Sequence, residues 1–340
     1  MALDPVQLTR SLVDIESITY NEGAVGAWLE AYLSGLSFAV ERMPVPHPDE
    51  SRHSGERFNL YASVDRARPD VVFSTHMDTV PPFIASSEDD EFIYGRGSCD
   101  AKGIIAAQTA AAVRLRDEGM KVALLFVVGE ERDSAGARLA NEQPRGSRFL
   151  INGEPTDNRL ALASKGALRA TIRATGKMGH SAYPELGESA IHKLVLALER
   201  VLSVDLPFVE DVGAGTLNVG VIEGGHAPNV IADAAEAHVL VRLVGPSEEV
   251  RAAIEAAVDG LATVDFTLEI PFLRMRKIEG LETMVAAFTT DIPALSNWGE
   301  PLLLGPGSIH VAHTPYERLA KRELFEAIDL YTQVALRLLP

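Results

Sequence analysis

The chain has 340 residues, 46% hydrophobic and 23% charged, the balance of a soluble globular protein long enough for two domains. Its 31 Lys and Arg against 48 Asp and Glu leave a formal net charge of −17, which argues against nucleic-acid backbones and anionic membrane surfaces as partners. A single Cys99 excludes an intramolecular disulfide, no apolar run approaches a membrane span, and the opening Met-Ala-Leu-Asp-Pro lacks a basic segment followed by an apolar core, so a reducing cytoplasm is the expected setting.

Asp4-Pro5 pairs an N-cap with a proline in the first turn and predicts an amphipathic helix to about Ile15, followed by a second helix over Ala24 to Leu36. Pro44 to Arg57, rich in Pro, His, Ser and charge, reads as an exposed loop whose His47 and His53 are solvated. Apolar runs with polar endings come next. Val71 to Thr75 ends at His76 and Asp78, Val122 to Val128 at Gly129-Glu130-Glu131, and Phe149 to Ile151 at Asn152-Gly153-Glu154. Pro301 to Leu304 ends in Gly305-Pro306-Gly307 and leads to His310 and His313. Near-continuous apolar strands separated by helices predict an α/β fold, a mixed, mostly parallel sheet covered on both faces, with the strand ends sharing one rim. Between the first two strands, Gly95 to Gly103 precedes an Ala-rich helix to about Glu118. Its glycines match no phosphate-binding pattern and are read as a tight turn that aims Asp100 inward, beside a buried Cys99.

From Ser164 to about Phe272 the pattern changes to strand, helix, strand, strand, helix, strand, the βαββαβ order of a ferredoxin-like α+β unit. A domain of residues 164–273 is therefore expected as an insertion into one made of residues 1–163 and 274–340.

The rim residues His76, Asp78, Asp100, Glu130, Glu131, Glu154 and His313 form a mixed imidazole and carboxylate set. One reading is a polar strand edge solvated in a cleft. The other follows from charge, since several carboxylates in a partly dry cleft repel strongly unless cations neutralise them. With Asp100, Glu131 and Glu154 ionised and the histidines neutral, two divalent ions leave a single positive charge, which one hydroxide cancels. Such a ligand set suits zinc, with manganese or cobalt as substitutes. His76 and Asp78 lie two apart, so in extended chain they point to one side, where Asp78 could hold the second ring nitrogen of a metal-binding His76 or make only a strand-end hydrogen bond.

The motifs Ser-Thr-His76-Met-Asp78-Thr-Val-Pro, Gly95-Arg-Gly-Ser-Cys-Asp100-Ala-Lys-Gly, Gly129-Glu130-Glu131, Asn152-Gly-Glu154-Pro-Thr and Gly305-Pro-Gly-Ser-Ile-His-Val-Ala-His313-Thr-Pro-Tyr-Glu317 together resemble the M20 metallohydrolases. That family includes acetylornithine deacetylase, succinyl-diaminopimelate desuccinylase, aminoacylase and several peptidases. The resemblance implies two zinc ions, one held by His76 and Glu154, the other by Glu131 and His313, with Asp100 bridging. It also implies that Asp78 orients His76 and that Glu130 is the general base that activates water and passes the proton to the departing amine. His313 is preferred over His310 because Glu317 follows it at the family's His-x-x-x-Glu spacing.

Gly176-Lys-Met-Gly-His180-Ser-Ala-Tyr-Pro is also family-like, and the resemblance implies that His180 donates to the carbonyl oxygen as it becomes anionic. Asn229 in Gly224-Gly-His-Ala-Pro-Asn-Val, and Arg242, match positions that hold substrate carboxylate or carbonyl groups. No role is assigned to His226, and His192 and His238 are read as structural. The expected activity is removal of an N-acyl group from an amino acid, as in acetylornithine deacetylase. The alternatives are a di- or aminopeptidase, or a hydrolase of amino acids linked to a carrier protein. The substrate is then a small N-acyl amino acid or short peptide, and the inserted domain is expected to act as lid and homodimer contact. A non-catalytic scaffold is disfavoured because the base and every expected ligand are present, and a sugar hydrolase gives no reason for paired histidines.

Overall fold

The computed structural model describes residues 3–49, 55–64 and 68–339, so His53 lies outside the described residues. Strands β1 (Ala39–Pro44), β2 (Phe58–Ser63), β3 (Val71–His76), β4 (Val122–Val127) and β5 (Phe149–Asn152) come first. Strands β6 (Gly166–Thr175), β7 (Thr216–Gly224), β8 (Ala234–Leu243) and β9 (Thr263–Ile270) follow, and β10 (Glu300–Leu303) comes last. The main helices are α1 (Pro5–Val13), α2 (Gly23–Gly35), α3 (Lys102–Asp117), α4 (Ala135–Asn141), α5 (Ala190–Leu202), α6 (Glu248–Val258) and α7 (Lys321–Leu338). No helix among the described residues is long and apolar enough to cross a membrane.

The chain divides into two compact units, one of residues 1–162, 275–284 and 290–340, the other of residues 163–274 and 285–289. In the first, six strands lie in the order β1-β2-β4-β3-β5-β10. The pairs β3–β4, β3–β5 and β5–β10 are parallel, and β1–β2 and β2–β4 are antiparallel. The period-two rule explains the layers on either side. Val71 and Phe73 of β3, with Val122, Leu124 and Phe126 of β4, face a core shared with α1, α2, α3 and α7. Their neighbours Val72, Ala123, Leu125 and Val127 face the other way, onto Ala137 and Ala140 of α4 and onto Leu295 and Trp298. Burial on both faces is why these strands read as unbroken apolar runs. Asp4 caps α1 as the Asp-Pro pair predicts, accepting from the Val6 and Gln7 amides at 3.0 and 3.2 Å.

Three elements of this unit have no counterpart in the sequence reading. β1 is a charged edge strand whose residues are mostly not buried, so it carries no apolar run, and β2 follows the loop that was the stronger signal. α7 packs along α3 and closes the chain.

The second unit is an antiparallel sheet in the order β7-β8-β6-β9, with α5 and α6 contributing Leu194, Leu198, Val250 and Ile254 to its core. Residues 285–289 join it because Val285 packs against Ala163, Val212 and Val244, and the Ser164 hydroxyl donates to the Phe288 carbonyl at 2.7 Å.

Candidate metal centre

Parallel pairing of β4, β3, β5 and β10 brings their C-terminal ends to one edge, and each end delivers polar groups there. His76 is the last residue of β3 and is buried. Its Nε2 lies 3.0 Å from Asp100 Oδ1, while His313 Nε2 lies 3.3 Å from Asp100 Oδ2 and 3.1 Å from Glu131 Oε1. The two oxygens of one carboxylate thus face the two imidazoles. Two groups of donors able to hold a metal ion result, His76, Asp100 and Glu154, and Asp100, Glu131 and His313, in each of which the donor atoms lie within 4.8 Å of one another. Asp100 belongs to both.

The donors fit divalent cations. Glu154 Oε1 is buried with no hydrogen-bond partner among the described residues, an arrangement that is costly unless something positive sits against it. Burial raises the Glu154 carboxyl well above the ordinary value; the charges of Asp100, Asp291 and Glu131 add to the rise, and His76 opposes it. Burial likewise raises Glu130, helped by the charge of Glu154. His313 is pushed up to about 10 by its hydrogen bonds to Asp100 and Glu131. These imidazoles and carboxyls ligate only when deprotonated, so a cation taken up here would displace their protons.

Glycines bring the strand ends close together. Gly153 could carry no Cβ, which would fall 2.3 Å from Ile104 Cγ2 and 2.5 Å from Gln108 Nε2, and its amide donates to the Ser74 carbonyl at 2.7 Å. Gly129 adopts φ 83°, and a Cβ there would lie 2.6 Å from Arg57 Nη2.

Asp78 meets the Nδ1 side of His76 chiefly through its backbone. The Nδ1–H of His76 is received by the backbone carbonyl of Asp78 at 2.9 Å, whereas the Asp78 carboxylate stands 3.6 Å away. That carboxylate accepts instead from the amides of Gly129, Glu130 and Glu131 at 2.9, 3.1 and 3.2 Å and from the Thr19 hydroxyl at 2.8 Å. The reason is local: β3 stops at His76, so the alternation that would have placed both side chains together ends before Asp78. Asp78 therefore fastens the loop that bears Glu130 and Glu131.

His310 is exposed and belongs to neither donor group. Cys99 is buried, and burial, with the charges of Asp100 and Glu317, pushes its thiol well up, as befits a packing residue rather than a thiolate. In the second unit, His180 and Asn229, from separate motifs, come together: His180 pairs with Val230 across two short antiparallel strands, and the Ser181 amide donates to the Asn229 carbonyl at 3.0 Å. The Ala182 amide donates to His180 Nδ1 at 3.1 Å, so a neutral ring carries its proton on Nε2. Arg242, on β8, is partly buried, and no ion pair or hydrogen bond of its side chain is found among the described residues. His226 pairs with Asp233 at 2.9 Å, His238 lies 3.3 Å from Thr171 Oγ1, and His192 is exposed on α5.

Two residues near the centre had no sequence signal. Thr19 reaches Asp78 from 59 positions away. Asp291 is buried beside Ser134, and burial pushes it up to about 6, within electrostatic reach of His76 and Asp78. A lone acid before a short turn gives no pattern to read.

Residues 72–337 match the family described as Peptidase family M20/M25/M40. A peptidase M20 domain-containing protein of Schizosaccharomyces pombe is 38% identical over 343 residues, covering 97% of this chain and 84% of that protein. A probable carboxypeptidase of Aspergillus terreus is 37% identical over 364 residues, covering 96% of this chain and 84% of that one. Among solved structures, a tripeptidase from Staphylococcus aureus has a TM-score of 0.80 at 20% identity, covering 99% of this chain and 100% of that chain. A mixed α/β fold with donor groups for divalent metals at its strand ends defines a metallohydrolase, and the chain belongs to peptidase family M20/M25/M40.

Proposed function

We propose that the protein hydrolyses a linear amide and releases an amino acid, acting on N-acyl amino acids in the manner of acetylornithine deacetylase. The observation that carries this reading is the pair of donor groups that share Asp100, with Glu130 adjacent in sequence to one of the ligands. His76 and Glu154 would hold one zinc ion, Glu131 and His313 the other, and Asp100 both. When bound, such a pair supplies Lewis acidity that polarises the carbonyl and acidifies water. Glu130 takes the proton of the attacking water on its carboxylate and delivers it to the leaving nitrogen. Asp78 keeps that carboxylate in place through the amides of the Glu130 loop. His180 offers its Nε2–H to the carbonyl oxygen as negative charge grows there, a contact that strengthens toward the transition state. Arg242, whose side chain has no ion pair or hydrogen bond among the described residues, and Asn229 would grip the substrate's carboxylate and carbonyl.

A second reading, a small peptidase, is favoured by the relatives, since a chain 37% identical over nearly the whole length is named a probable carboxypeptidase. Both readings share the amide chemistry and differ in what lies on the acyl side. Zinc-loaded protein assayed on acetylated ornithine, citrulline and lysine, on succinylated diaminopimelate and on free and N-blocked dipeptides separates them. Hydrolysis of peptides with no N-acyl amino acid turned over removes the deacylase reading, and a protein that binds no metal removes both. We further propose a homodimer through the second unit. It is supported by the open edge of β7, where Ile222 is 63% exposed, and by Val195 and Leu202 standing 59% and 61% exposed on α5 and at its end. A reducing cytoplasm remains our expectation for where it works.

A further inference from the structure

Glu317 marks the last motif in the sequence, yet nothing in the reaction outlined above uses it. It is 2% exposed, and its carboxylate is fully engaged. Oε1 accepts from the amides of Gly97, Cys99 and Asp100 at 2.9, 3.2 and 3.1 Å, while Oε2 receives Arg96 Nη1 at 2.5 Å. Three amides of one turn converging on one oxygen make an anion cradle, here filled by the protein's own side chain. The turn they belong to, from Gly95 to Asp100, needs positive φ at Gly95 and Gly97 and bears the carboxylate that both donor groups share. Arg96 extends the tie, since its Nε donates to the Pro82 carbonyl at 3.4 Å and its amide to the Ile84 carbonyl at 3.0 Å. One buried Glu–Arg pair therefore fastens together the loop after Asp78, the turn of Asp100 and the loop of His313, which lies four residues before Glu317.

We propose that Glu317 is a positioning residue for the metal pair, setting the orientation of Asp100 relative to His313 by holding the three amides of the 97–100 turn. The inference rests on the reading that Asp100 bridges two ions. Outer partners of this kind orient ligands, and losing one typically costs about 10- to 100-fold in metal affinity. A role confined to folding would lower thermal stability and leave the coordination geometry alone.

The test uses metal-free full-length protein titrated with Co²⁺, following bound ions per chain, affinity and the visible absorption of the ion. Wild type should take up two ions, and uptake of none would overturn the bridging reading and this inference with it. Against that baseline, Glu317→Gln should bind cobalt about 10- to 100-fold more weakly and show a visible spectrum altered even at saturation. Glu317→Asp keeps the charge but withdraws the oxygens by one methylene, so it should show the same spectral change, and it decides the question if Glu317→Gln does not fold. An affinity within about twofold of wild type and a superposable saturated spectrum in Glu317→Asp would overturn the proposal, whatever happens to the melting temperature.

Discussion

Asp78 shows how much turns on which oxygen a hydrogen bond uses. Because its carboxylate holds the Gly129, Glu130 and Glu131 amides while its carbonyl holds His76, Asp78→Asn should lower kcat and leave the His76 and Glu154 ion bound. Metal analysis alongside kinetics checks this, and loss of both ions with unchanged loop protection in hydrogen exchange would return Asp78 to the orienting role. Glu130→Gln should retain both ions and lose about 10²- to 10⁴-fold in turnover, the usual contribution of a positioned base. Asp100→Ala should instead lower bound metal itself, because it removes the donor common to both groups. His76, Glu131 and Glu154 stand out in the sequence as candidate ligands because each follows an apolar run, where the chain has to turn, and Asp100 because a glycine-rich turn carries it. Their hydrogen-bonding partners do not, since Thr19 and Glu317 meet their targets across 59 and more than 200 positions.

At the scale of elements, the strand ends are held from beneath by a polar knot that joins α3, α7 and β10. The Tyr331 hydroxyl donates to the Leu304 carbonyl at 2.7 Å, Gln108 Nε2 donates to the Ser74 carbonyl at 3.0 Å, and the Tyr331 ring meets Phe73 edge-on at 5.4 Å. Tyr331→Phe keeps the ring and strips the donor from a buried carbonyl, so it should cost about 1–3 kcal/mol in denaturant unfolding at an unchanged slope. No measurable loss would mean that the Leu304 carbonyl finds another donor. The central strands and α3 could be anticipated because burial on every side demands apolar or small residues throughout. β1 gives no apolar signal because an edge strand is free to carry charge.

For the whole molecule, the homodimer predicts a mass of two chains by light scattering at micromolar concentration, and Val195→Asp with Ile222→Asp should shift it to one chain without changing the circular dichroism spectrum. A wild-type monomer at that concentration would end the dimer proposal. An α/β sheet with acids and imidazoles at its strand ends is readable from local order, apolar period and glycine placement, while the metallohydrolase family is readable only from the resemblance its motifs carry. These depend on residues close together in the chain, and near neighbours obey short-range rules. Which atoms bind which was decided only by the fold, because the Asp78 carboxylate, the Glu317 cradle and the shared oxygens of Asp100 are set by where parallel strands stop and by which distant loop fills the space beside them.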